Sequence, residues 1–89
     1  MTEKTLTIEN KTGIHARPAS LFVGEAAKYK STVKIKAKGK TADAKSILMI
    51  MGLGLSKGTE ITITADGPDE ADAVAALSKL VEDKFGETE

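Results

Sequence analysis

Thr5-Leu6-Thr7-Ile8 alternates polar and apolar positions with a period of two, the pattern of a half-buried strand. Beyond Gly13, Ala19, Phe22, Val23 and Ala26 recur at helical spacing and predict a helix over 16–28. Val33, Ile35 and Ala37 then alternate with Lys34, Lys36 and Lys38, predicting a strand with a lysine-coated solvent face. Gly39 supplies a turn into a short strand near 40–42. Ser46 precedes the apolar run Ile47-Leu48-Met49-Ile50-Met51, a short helix ended by Gly52 or Gly54. Ile61, Ile63 and Ala65 alternate with Thr62 and Thr64 as a further strand. Asp66-Gly67-Pro68-Asp69 breaks the chain and caps a last helix, in which Ala73, Val74, Leu77, Leu80 and Val81 form one stripe. Asp69, Glu70 and Asp72 fall in its first turn, where negative charge is favoured.

The order βαββαβα predicts an α+β fold: helices on one face of a small antiparallel sheet, lysines and threonines on the other. Eighty-nine residues suit a single domain, 1–89, with a thin core and modest stability. The absence of cysteine excludes a disulfide framework and a thiolate metal site, and fits a reducing compartment. The polar start and the lack of a long apolar run argue for a cytoplasmic protein without membrane insertion. A net charge of zero conceals an asymmetry: residues 1–45 carry +6 and 46–89 carry −6. Most of these lysines are read as solvated; a basic surround of His15 would steer an acidic partner. With one Tyr, two Phe, no Trp and one Arg, nucleic acid is a poor fit.

The chemistry concentrates in Gly13-Ile14-His15-Ala16-Arg17-Pro18-Ala19. The single histidine lies immediately before a predicted helix start, and Pro18 presets the first turn, where its missing N–H costs nothing. Unpaired amides and the positive end of the helix dipole would hold a phosphate attached to such a ring. A helix-flanking histidine without chemistry is the commoner reading of a lone His, but three features lower it: ring, arginine and helix start fall within four residues, Pro18 fixes the entry, and Gly13 gives the backbone freedom to present the ring. One histidine and no cysteine give no zinc set. Neutral imidazole is a competent nucleophile at phosphorus, and Arg17 with neighbouring amides would stabilise the transferred oxygens.

The chain resembles HPr, the histidine-containing phosphocarrier of the bacterial sugar phosphotransferase system. The resemblance rests on the 13–19 motif, Lys45-Ser46-Ile47, Gly54, Lys57-Gly58-Thr59-Glu60-Ile61 and the acidic start of the last helix. It implies an open-faced β-sandwich with four antiparallel strands and three helices. It also implies that Nδ1 of His15 takes a phosphoryl group from enzyme I and passes it to enzyme IIA domains. On that basis the protein is a carrier rather than a turnover enzyme, and it needs no cofactor. Read locally, Ser46 is a helix N-cap; by resemblance it is also the target of HPr kinase/phosphorylase, its phosphorylated form serving a catabolite control repressor.

Five consecutive apolar residues at 47–51 exceed one face of a two-turn helix, so core packing claims Ile50 and one neighbour and leaves the rest exposed. By resemblance, Ile47, Leu48 and Met51, with Ser20 and Gly24, form the partner-docking surface. Met49 stands where many relatives have glycine, and Leu48 where methionine is frequent. A monomer with transient docking is expected. The alternatives are a nitrogen-related HPr paralogue in signalling, or a small non-catalytic ligand-sensing domain. Possession of His15 argues against HPr-like regulatory paralogues that lack it.

Overall fold

The computed structural model describes residues 1–9 and 16–83. Along them run β1 (Thr2–Thr7), α1 (Ala16–Ala26), β2 (Thr32–Ala37), β3 (Lys40–Asp43), α2 (Ile47–Gly52), β4 (Glu60–Asp66) and α3 (Glu70–Glu82). The strands form one antiparallel sheet in the order β1-β4-β2-β3. The fold is thus the α+β arrangement expected from the βαββαβα order.

Period-two patterning sorts the two sheet faces. Val33, Ile35 and Ala37 of β2 and Ile61, Ile63 and Ala65 of β4 are buried, and register sets Ile63 beside Ile35 and Ile35 beside Ala42. Phe22 and Ala26 of α1, Ile50 of α2, and Ala73, Val74, Leu77 and Val81 of α3 join this core. Leu80 packs against it only partly buried. The opposite face carries exposed Lys34 and Lys36, and the Thr5 and Thr62 hydroxyls meet there across the strands at 3.0 Å.

Boundaries move where tertiary contacts compete with local pattern. β1 begins at Thr2 because β4 is long enough to pair back to it, Thr2 opposite Ala65. Ile8 lies beyond the strand, fully buried, donating its N–H to the Thr59 carbonyl at 2.9 Å and accepting from the Gly58 N–H at 2.8 Å. α1 ends at Ala26 rather than near 28; its last turn tightens through Lys28 N–H to Glu25 O and Tyr29 N–H to Ala26 O. Lys38 (φ 54°) and Gly39 (φ 75°) form a two-residue turn with both φ positive, which matches the strand twist and joins β2 to β3. The Lys38 ammonium then reaches the Gly54 carbonyl at 2.8 Å.

Asp69 holds the α3 N-cap position, but its side chain makes no capping bond to the helix. Its carboxylate instead accepts from the Lys30 N–H (2.8 Å), the Ser31 N–H (2.9 Å) and the Ser31 hydroxyl. Three donors presented by the α1–β2 loop outcompete one orphan helix amide. That loop approaches so closely that a Cβ on Gly67 would lie 2.7 Å from Ser31 Cα. The Ser31 hydroxyl, then the Lys30 N–H, hold the Asp69 carboxyl below its usual range. Glu70 is lowered likewise, first by the Thr2 hydroxyl (2.6 Å) and then by the N-terminal ammonium (3.0 Å), whose own pKa Glu70 raises.

Candidate functional site

α1 starts at Ala16, one residue after His15, so the expected relation of histidine to helix start holds along the chain. His15 and Gly13 themselves lie outside the described residues. The first turn of α1 contains no acidic side chain to neutralise its positive end, and Pro18 is fully buried while Arg17 is exposed. Arg17, Ser20, Leu21 and Gly24 are all exposed, and their i, i+3, i+4, i+7 spacing places them on one face leading to the helix start.

The second helix supplies the other half. Asp43 turns the chain into α2: its carboxylate accepts from Lys45 N–H at 2.9 Å and its carbonyl from Ser46 N–H at 3.0 Å. Ser46 is the N-cap, with extended backbone (φ −121°, ψ 112°) and its Oγ accepting from the Met49 N–H at 3.3 Å. α2 ends at Gly52; Leu53 caps it and Gly54, at φ 63°, turns the chain away, donating to the Met51 carbonyl at 3.2 Å. The Lys45 ammonium bonds the Tyr29 carbonyl just past α1 at 2.9 Å, and α1 packs directly on α2.

Ile50 is the one buried residue of α2, with Leu53 joining it in the core. Ile47 (39%), Leu48 (84%), Met49 (48%) and Met51 (42%) face solvent. An apolar surface therefore sits on α2, which packs against α1, so the structure brings Arg17, Ser20 and Gly24 onto one helix and Ser46, Ile47, Leu48 and Met51 to the helix packed against it. Among the described residues nothing lies within 4 Å of a Cβ built on Gly24, which removes tight packing against them as the reason for that glycine. Sequence reasoning missed Leu21, 41% exposed. Its position off the Ala19-Phe22-Val23-Ala26 stripe could have revealed it.

A family model described as the PTS HPr component phosphorylation site matches residues 2–83. The chain belongs to the HPr family. Among solved HPr structures, HPr-C-His from Thermoanaerobacter tengcongensis is 48% identical over all of both chains, with a TM-score of 0.96. Phosphocarrier protein HPr from Bacillus anthracis is 42% identical over 90% of this chain and 95% of that one, TM-score 0.86. Crh, the catabolite repression containing protein of Bacillus subtilis described as a domain-swapped dimer, is 42% identical over 94% and 97%, TM-score 0.75. HPr proteins are phosphocarriers of the phosphotransferase system, and this chain has their open-faced sheet with three helices. No helix among the described residues is long and apolar enough to cross a membrane.

Proposed function

We propose that this protein, acting as one unit over 1–89, accepts a phosphoryl group on Nδ1 of His15 from enzyme I and delivers it to enzyme IIA domains. The imidazole lone pair attacks phosphorus, the bond to the donor breaks as the P–N bond forms, and the reverse displacement passes the PO3 group to the next acceptor. Transfer of this kind is positioning plus charge stabilisation. The match of the family's phosphorylation-site model across 2–83 carries this reading, with His15 directly before α1. The acid-free first turn of α1 supports it, since an uncompensated helix start favours an added anion; Arg17 serves the transferred oxygens. Enzyme I and enzyme IIA would dock in turn on Ser20, Gly24, Ile47, Leu48 and Met51.

Ser46 is the proposed regulatory site for HPr kinase/phosphorylase, with a catabolite control repressor reading the product. Its half-buried N-cap hydroxyl sits at the rim of the same apolar surface, so a phosphate there keeps its helix amides while placing charge against a docking partner. The similarity to Crh favours this regulatory branch. Cytoplasmic action follows from the same roles.

Incubation with enzyme I and phosphoenolpyruvate should add one acid-labile phosphate, absent from a His15→Ala variant. Kinase and ATP should add an acid-stable one, absent from Ser46→Ala. Acid-labile uptake by His15→Ala would overturn the site assignment, and a protein taking up neither group would favour a ligand-sensing domain.

A further inference from the structure

Resting on that docking reading, we propose that Met49 and Met51 form a reversible oxidation site through which peroxides slow the docking of partners. The sequence contains three methionines and no cysteine, so thioethers are its only sulfur targets. Met49 and Met51 are 48% and 42% exposed, on the same short helix as Leu48, 84% exposed. Neither belongs to the core: α2 is anchored by Ile50 and the adjoining Leu53, and Met49 contributes to the Ser46 cap through its backbone N–H alone. Their side chains are thus available both to a partner and to an oxidant.

The chemistry is a two-electron oxygen transfer. The thioether sulfur attacks the terminal oxygen of a hydroperoxide ROOH, the O–O bond breaks and an S–O bond forms. The leaving oxygen takes up the proton lost from the transferred oxygen and departs as ROH, which is water when the oxidant is hydrogen peroxide. Sulfur is oxidised and the peroxide reduced. A dithiol reductant reverses the change, regaining the thioether while releasing water and a disulfide. In the sulfoxide state a flexible apolar side chain becomes a strong hydrogen-bond acceptor. Burying it against an apolar partner surface leaves that acceptor unpaired, whereas the free protein solvates it. The effect therefore falls on association and spares the fold.

The test treats the full chain with hydrogen peroxide, removes the peroxide, confirms sulfoxide at 49 and 51 by peptide mass, and measures the rate of phosphoryl acceptance at limiting enzyme I. Each protein is compared with its own untreated form. The oxidised wild type should accept on the order of tenfold more slowly, with unchanged circular dichroism and melting, and methionine sulfoxide reductase should restore the rate. A Met49→Leu/Met51→Leu protein, which keeps Met1 as an internal control, should show no peroxide effect. Equal slowing of that variant overturns the proposal. So does an oxidised wild type, sulfoxidised at both positions, that accepts at its untreated rate. Failure of the untreated protein to accept any phosphoryl group overturns the carrier reading, and this proposal with it.

Discussion

Gly24 separates stability from docking, because the fold needs no glycine there while the proposed contact surface does. It lies inside α1, its φ is not in the left-handed region, and an added Cβ would meet nothing within 4 Å among the described residues. Replacing a helical glycine by alanine restricts the unfolded chain and adds about 0.5–1 kcal/mol of stability. For a chain of this size, that raises the melting temperature by roughly 2–8 °C. Gly67 provides the opposite control. Its φ is 155°, and a Cβ would sit 2.7 Å from both Cα and Oγ of Ser31, so Gly67→Ala should cost about 2 kcal/mol or more. Urea and thermal unfolding followed by circular dichroism measure both variants. Phosphoryl acceptance from enzyme I then measures docking: Gly24→Ala should be more stable yet slower. A Gly24→Ala protein that unfolds at lower urea than wild type would refute the open environment of that position. One that is stabilised and transfers at the wild-type rate would remove Gly24 from the docking surface.

Ser78 is buried in α3 with its hydroxyl lacking a hydrogen-bond partner among the described residues, so Ser78→Ala should stabilise the protein by about 1 kcal/mol in urea unfolding. Loss of the α2 cap in Ser46→Ala should cost about 1 kcal/mol, and Ser46→Asp, which can still accept the Met49 N–H, should recover most of it. Asp69 and Glu70 have folded-state pKa values below their ordinary 3.8 and 4.5, so their contribution is complete above those values and fades as pH falls through the lowered ones. Asp69→Asn should therefore flatten the acid limb of a stability–pH profile; an unaltered limb would contradict the Ser31 contacts. The N-terminal ammonium, raised from 8.0 by Glu70, contributes below that value and is lost as pH climbs past its folded pKa. N-terminal acetylation should remove that alkaline limb.

Much of the fold was legible because two periodicities dominate the chain. The alternation in 33–37 and 61–65 fixed which residues entered the core, and all six apolar positions there are buried. The stripe of the last helix held with one exception, Leu80, which reaches only the rim of the core. Ser78 escaped notice because a serine gives no apolar signal, though it sits one position after Leu77 on the buried side. Asp69 takes the N-cap position that its place before α3 predicts, but its side chain bonds elsewhere, for a related reason. Local sequence offers an aspartate the amides of its own helix, and only the folded chain brings the amides of residues 30 and 31 to it.

The candidate site divides in the same way. The placement of His15 and Arg17 about a helix start, Ser46 as a cap, and an apolar excess at 47–51 were readable from order alone, because capping and the surplus of apolar side chains over one helix face are local properties. Which of those apolar residues would be exposed, and that α1, carrying Leu21 and Gly24, would pack against α2, carrying Met49 and Met51, depended on packing between segments more than twenty residues apart. Local pattern determined the elements and the chemistry each could carry. Tertiary structure decided their adjacency, since burial and close approach arise only when distant segments compete for the same core.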